Sequence, residues 1–389
     1  MKITSTRGGR LRSLAAAGTV AAALVLVGCS SGEAAPEETT EETTTTEGGS
    51  GLEAQLAEFM ALQDEYDMPT EAIKDGTVLE GKTIHYVPIT NYAPQFALTA
   101  AVLEEAVSAV GASLTVCDGG GNPTTIGSCV DTARNDANVG AIITDGFYYG
   151  MAANALNAAQ EAGVRVIYGN QFSEDAFPES ETQANVNSPG TEMVTELATW
   201  VAVDSEGAGN LLFVRSADGP GTQKFADEGL AQLATDCPDC TVTTIDITTA
   251  TQNQLEGELN TKLLQDPNIQ YVAPQFAQYL PIVIPATRAS GSQAQIGTTA
   301  ATLGALQAVA NGDVAAASGQ SAPFGAWAFI DSALRLANGQ DIYPYVMPTR
   351  LFTAENIGDV DVSEGAEASG EWFGPDSFKD DFKSLWSVK

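Results

Sequence analysis

From residue 81 onward, short runs of aliphatic and β-branched residues alternate with longer segments of helical periodicity, and this alternation limits the fold more than any other feature. The runs cover 82–90 (KTIHYVPIT), 112–117, 139–144 (VGAIIT) and 164–168 (VRVIY). They resume at 210–215 (NLLFVR), 240–247 (CTVTTIDI), 269–273 (IQYVA) and 294–298 (AQIGT). Most are apolar on both faces, as strands are when helices cover a parallel sheet above and below. Helical spacing of apolar residues marks 95–110, 124–135 and 151–161, then 190–203, 221–233 and 252–264. It also marks 276–289, broken by Pro281 and Pro285, and 327–337, which ends at Asn338-Gly339. Two α/β units of about 100 residues therefore follow one another. Such units bind ligands beyond the carboxyl ends of their strands, and two facing units create a cleft.

The chain opens with a different pattern. Lys2, Arg7, Arg10 and Arg12 precede an Ala/Leu/Val-rich run over 14–27, which closes on Leu26-Val27-Gly28-Cys29. The run is shorter than the ~20 residues of a membrane span, so it reads as an export signal. A small residue followed by cysteine is similar to a bacterial lipoprotein signal, in which Cys29 becomes the lipidated first residue. Residues 1–29 are the expected signal, and two or three acyl chains at Cys29 would hold the protein at the membrane surface. Residues 30–50 (SSGEAAPEETTEETTTTEGGS) contain no large apolar side chain and are expected to form a disordered acidic tether. An N-terminal helical extension is expected at 51–80, with Leu52, Leu56, Phe59, Met60 and Leu62 on one face of an amphipathic helix over 52–66.

The formal net charge is −33, and signal removal would make it four charges more negative. Such a surface repels nucleic acid, which is excluded as a partner. Beyond Cys29 the cysteines form two close pairs, Cys117 with Cys129 and Cys237 with Cys240. In an exported chain these are expected to be disulfides. Acidic Asp236 and Asp239 disfavour a reactive thiolate in the CxxC.

The residues for catalysis are missing. His85 is the single histidine and lies within an apolar strand. There is no Gly-x-Ser-x-Gly elbow, Walker loop or metal-binding set. Gly119-Gly120-Gly121 lacks the dinucleotide spacing and lies between Cys117 and Cys129, as a stapled loop would. A binding protein is expected rather than an enzyme, with no cofactor and no metal.

Several segments, in order, resemble the sugar-type, periplasmic-binding-protein-like substrate-binding proteins of bacterial ABC importers (type I fold). They are Asn91-Tyr92…Phe96, Asp118-Gly…Asn122-Pro123, Val139-Gly-Ala-Ile-Ile-Thr-Asp145 and Ala162-Gly163…Tyr168-Gly-Asn170. Leu303-Gly-Ala-Leu, Gln320-Ser-Ala-Pro-Phe324 and Thr353-Ala-Glu-Asn356 complete the series. The resemblance implies two Rossmann-like parallel-sheet domains joined by a three-crossing hinge, with the ligand cleft between them. It implies a first domain at 81–187 plus 321–349 and a second at 188–320 plus 350–389, with hinges near Ser188, Gln320 and Thr349. It also implies a monomer that captures a small, mostly neutral solute (a sugar, polyol or cyclic compound) outside the cell membrane and delivers it to permease subunits. A lipoprotein receptor that signals to a membrane kinase or chemoreceptor would use the same closed form.

Carried onto this chain, the family's ligand positions are Asn91, Tyr92, Phe96, Asp145, Phe147, Tyr148 and Asn170 from the first domain. From the second come Arg215, Gln275, Phe276 and Thr298, with Gln320 at the hinge. Aromatic planes cover the apolar face of a ring, while amides, carboxylates and guanidinium pair with its hydroxyls. Two departures weaken the sugar reading. Pro274-Gln275-Phe276 stands where sugar binders carry Asn-Asp, and Thr298-Thr299 where they carry an acid and glycine. Their absence favours a less polar ligand, aromatic or alicyclic.

The lipoprotein reading is checked by Cys29→Ser: the variant is expected to lose the mass of the lipid and to leave the membrane fraction. Retention there with unchanged mass would refute the reading.

Overall fold

The computed structural model describes residues 47–388. The expected signal, Cys29 lipidation and the tether up to residue 46 lie outside the described residues. Residues from 46 onward form one compact unit containing two sheets.

The first sheet is parallel, in the order β2-β1-β3-β4-β5. The chain begins with helix α1 (Glu47–Met60), then β1 (Thr83–Pro88), α2 (Pro94–Ala109), β2 (Ser113–Val116) and α3 (Pro123–Arg134). It continues through β3 (Val139–Asp145), α4 (Ala153–Glu161), β4 (Val166–Gln171) and β5 (Gln183–Asn187). The second unit runs α5 (Gly190–Asp204), β6 (Asn210–Ser216), α6 (Pro220–Asp236), β7 (Thr241–Ile247), α7 (Leu255–Gln265) and β8 (Tyr271–Pro274). It closes with α8 (Leu280–Ala289), β9 (Gln295–Thr298), α9 (Leu303–Ala310) and β10 (Ala316–Gln320). After α10 (Ala322–Asn338) come β11 (Thr349–Thr353), α11 (Glu364–Ser369) and α12 (Phe378–Trp386). The second sheet has the order β11-β10-β9-β8-β6-β7, parallel except for the β10–β11 pair.

Strand alternation divides the side chains between layers. Leu211 and Phe213 pack into the α5/α6 side of the second sheet, whereas Leu212 and Val214 pack on the other side with Leu255 and Val283. Both cysteine pairs are bridged, with Cα separations of 5.8 Å for Cys117–Cys129 and 5.3 Å for Cys237–Cys240.

The chain passes from the first lobe to the second between β5 and α5, returns between β10 and α10, and passes again between α10 and β11. Two further passages flank these. Helix α1 packs on the second lobe through Leu56, while Tyr66, Met68, Ile73 and Leu79 pack on the first. At the other end, Trp372 and Phe373 belong to the second core, but Phe378, Phe382 and Trp386 of α12 belong to the first. The two straps meet where the Gln63 amide donates to the Phe373 carbonyl at 3.2 Å. These contacts correct three expectations. Residues 350–389 do not all lie in the second lobe, because the apolar stripe of α12 is buried against Trp327, their rings stacked 5.2 Å apart. The extension at 51–80 serves both lobes and its helix stops at Met60, while the tether ends before residue 50 because α1 starts at Glu47.

Buried ionic chemistry holds the straps to the first lobe. Asp331 and Arg335 on α10 pair at 2.5 Å, both essentially without solvent contact. The same carboxylate accepts from Tyr345 Oη (2.6 Å) and Trp386 Nε1 (2.9 Å), and Arg335 donates to the Glu71 carbonyl (3.0 Å). Trp386→Ala empties the space beside Trp327 and leaves one oxygen of Asp331 short of a donor. It is expected to destabilise the protein by about 3–5 kcal/mol, read from the urea midpoint followed by circular dichroism; a loss below 1 kcal/mol would show that α12 is dispensable.

Candidate ligand cleft

A cavity lies between the lobes, beyond the carboxyl ends of both sheets. The first lobe contributes Ile89 and Thr90 after β1, Gly146 after β3, Asn170 and Gln171 from the end of β4, and Phe96 from the first turn of α2. The second contributes Ser216 and Asp218 after β6, Thr249 after β7, Phe276 to Gln278 after β8, and Ala300 and Thr302 after β9. Met193 from α5, Thr222 and Phe225 from α6, and Ser188 at the crossing before α5 also line it.

Asn170 ties this cavity to the hinge. It sits where the β4–β5 register shifts, with φ of 53°, so the extra residue re-aims its side chain. Asparagine tolerates this left-handed conformation better than most residues. Its amide donates to Asp145 Oδ1 at 2.7 Å and its oxygen accepts from Gln320 Nε2 at 2.9 Å. Tyr86 Oη donates to the other oxygen of Asp145 at 2.5 Å. Burial raises the Asp145 pKa to about 6, although both hydrogen bonds oppose the rise.

The lobes touch around the cavity. Tyr148 lies so close to Gly219 that a Cβ there would sit 2.5 Å from its ring, and Gln171 crowds Gly221 in the same way. Phe172 and Phe225 meet across the lobes with ring centroids 4.5 Å apart. Gly121 of the disulfide-stapled loop approaches Thr249, and Asp118 Oδ1 accepts from the amides of Asn91 and Gly120, both at 2.9 Å.

Of the residues expected to meet ligand, Phe96, Asn170 and Phe276 line the cavity. The others stand elsewhere. Arg215 is corrected most clearly: its guanidinium pairs with Asp246 at 2.7 Å and with Asp227. As an odd-numbered residue of β6 it follows Leu211 and Phe213 onto the α6 face, while Ser216 reaches the cleft. Gln275 is fully buried and holds the Ser216 amide and the Thr222 carbonyl, at 2.7 and 2.8 Å. Thr298 donates to the Pro274 carbonyl at 3.0 Å, beneath the floor. Asp145 and Gln320 act through Asn170. Phe147 is a core residue of the first lobe, Tyr148 is a lobe-to-lobe contact, and Asn91 is tied to the stapled loop. Tyr92 is 73% exposed on an outer groove, outside the cavity. His85 pairs with Asp136 at 3.0 Å and takes no part in the cleft.

The sequence reading missed Ser216, Asp218, Thr222, Phe225, Thr249 and Gln171. The signal for Ser216, Asp218 and Thr249 is their place at or just beyond the carboxyl ends of β6 and β7. Phe225 is one turn into α6, beyond the reach of that signal.

A second buried acid lies beside the hinge strands. Glu196 on α5 accepts from Ser318 Oγ of β10 and Thr349 Oγ1 of β11. Burial raises its pKa to about 7, against the pull of those two donors. An acid whose folded pKa is raised contributes stability that is full below about 4.5 and is lost as pH rises through about 7. Glu196→Gln mimics the protonated acid. The variant is expected to be more stable than wild type at pH 8, on the order of 3 kcal/mol, with the difference vanishing near pH 4. Parallel unfolding curves from pH 4 to 8 are the check; a constant difference would refute it.

Comparison with known proteins agrees with this geometry. Residues 84–341 match the family model described as "Periplasmic binding protein domain". No curated protein matches the chain in sequence. Among solved structures, a 5-methylthioribose transporter solute binding protein from Thermotoga lettingae, in complex with 5-methylthioribose, superimposes with TM-score 0.67 at 16% identity, covering 82% of this chain and 99% of that one. A carbohydrate transporter from Acidothermus cellulolyticus, in complex with myo-inositol, gives 0.63 at 21% identity, covering 75% and 99%. An ABC sugar transporter subunit from Rhodobacter sphaeroides gives 0.63 at 18%, covering 72% and 100%. Two parallel-sheet lobes, a cleft at their strand ends and a family match across both lobes lead to one conclusion: the chain belongs to the periplasmic binding protein family, in its type I fold.

Proposed function

We propose that this protein is the solute-binding component of an ABC importer, held outside the cytoplasmic membrane through lipid on Cys29. It captures one small, mostly neutral solute by closure of its lobes and presents the closed form to the permease. The observation that carries the reading is the interlobe cavity, where amides, hydroxyls and one carboxylate stand beside aromatic side chains at the strand ends. That mixture suits a hydroxylated ring, whose edge hydrogen-bonds and whose face is apolar. The solutes named with two structural neighbours, 5-methylthioribose and myo-inositol, are both small hydroxylated rings.

Closure depends on two bare backbones. Gly219 accepts the Tyr148 ring and Gly221 accepts the Gln171 amide, so the lobes approach only where no Cβ intervenes. A solute binding at both lobes stabilises this arrangement by its differential affinity for it.

Binding is tested with 5-methylthioribose, myo-inositol and a panel of sugars, polyols and cyclic alcohols. One member is expected to bind 1:1, raise the melting temperature and reduce the radius of gyration in X-ray scattering. Gly219→Val is expected to fold normally, remain expanded with that ligand and bind it at least tenfold more weakly. Binding without compaction would refute the closure mechanism, and no response to any member would refute the solute class.

A further inference from the structure

We infer that the cleft selects an uncharged solute that offers hydroxyl donors and carries an apolar substituent, and that it rejects phosphorylated or carboxylated forms of the same scaffold. This rests on the reading of the cleft as a solute site.

Three hydroxyls on the polar wall of the second lobe, those of Ser216, Thr222 and Thr249, already have their protons committed. Ser216 Oγ donates to Asp218 Oδ2 at 2.9 Å, and Thr249 Oγ1 donates to the same oxygen at 3.1 Å. Thr222 Oγ1 donates to backbone carbonyls at 3.0 Å. The Thr249 amide occupies Asp218 Oδ1 at 2.9 Å. A hydroxyl has one proton and two lone pairs. With the protons committed, these three oxygens and the carboxylate present lone pairs to the cavity. The partner they require is a donor.

No residue lining the cavity is lysine, arginine or histidine. Lys224, on the neighbouring α6, lies 3.8 Å over the Phe172 ring and 3.7 Å from Glu228. Arg215 is on the far face of its strand. Helix N-termini could have supplied positive field, but their donors are reduced. Proline occupies the start of α2 (Pro94) and α6 (Pro220) and caps α5 (Pro189). The Leu303 amide at the start of α9 donates to Glu367 at 2.6 Å. An anion would lose its hydration here, face Asp218 and gain no cation in return.

The apolar wall is larger than a plain polyol needs. Ile89, Phe96, Met193, Phe225 and Phe276 face the same cavity. A solute covered with hydroxyls would leave some of them against these side chains without partners, which disfavours unsubstituted sugars. An alkyl, thioether or aryl substituent fits this wall.

The test uses matched triads on one scaffold: D-ribose, 5-methylthio-D-ribose and D-ribose 5-phosphate; and myo-inositol, an O-alkyl inositol and inositol 1-phosphate. Binding is read by calorimetry. In parallel, the lipid-free folded chain is incubated with a metabolite extract, and retained small molecules are identified by mass spectrometry. The apolar-substituted neutral member, or a retained molecule of that class, is expected to bind at least tenfold more tightly than its parent, with no binding of the anion. Asp218→Asn is expected to weaken that binding at least tenfold with the melting temperature of the free protein held. If this variant fails to fold, Thr249→Val carries the same expectation. Anionic ligand binding within tenfold of its neutral counterpart, an unsubstituted polyol as the tightest ligand, or unchanged affinity in the folded variant would overturn the inference and leave the solute-binding reading standing. No small molecule bound in either arm would overturn that reading, and this inference with it.

Discussion

The carboxylate of Asp331 is the point on which the packing of this molecule depends most. Buried with Arg335 on α10, it gathers Tyr345 from the segment returning to the second lobe and Trp386 from the last helix, while Arg335 holds the Glu71 carbonyl. An ion pair removed from water is stable only when its remaining hydrogen-bond capacity is filled, and breaking one partner leaves an uncompensated charge. Here that capacity is filled by chain segments far apart in sequence. The consequence is architectural: both straps are fixed to the first lobe at one end while packing on the second at the other, so lobe motion is constrained by five strands of chain.

The cleft uses a second network of similar logic. Tyr86, Asp145, Asn170 and Gln320 form a line of hydrogen bonds from the floor of the first sheet to the end of β10. Only Asn170 of these lines the cavity. The others determine where its amide points, and Gln320 links that orientation to the chain that crosses between lobes. A ligand touching Asn170 therefore touches the hinge through one intermediate side chain. Glu196 on α5 clasps β10 and β11 just before and after the crossings. The hinge is thus bordered by two buried acids, both with pKa values raised by burial.

Arg215 and Ser216, adjacent at the end of β6, face opposite ways. A strand's side chains alternate, so the last residue of β6 and its predecessor lie on opposite faces, and an error of one position exchanges a surface ion pair for a cleft residue. The exchange removes a guanidinium from the cleft and puts the Ser216 hydroxyl there, beside the Asp218 carboxylate of the following loop. Gln275 and Thr298 do lie at strand ends, yet their side chains turn inward to satisfy backbone groups. Proximity to a strand end is therefore not contact with the cavity.

The sequence by itself determined the two parallel α/β units, most of their strands and helices, the close cysteine pairs and the level at which the cleft lies, because hydrophobic periodicity and turn residues are local signals. It did not reveal β5, β10, β11 or α12. The small residues of β10 (AASGQ) become a strand only because β9 and β11 pair with them, and the three aromatic residues of α12 acquire meaning only against Trp327. Nor could periodicity decide which strand-end side chains face the cavity, which hydroxyl protons are already spent, or that the termini strap the lobes together. Those outcomes depend on contacts between residues distant in sequence, and only the folded chain brings them together.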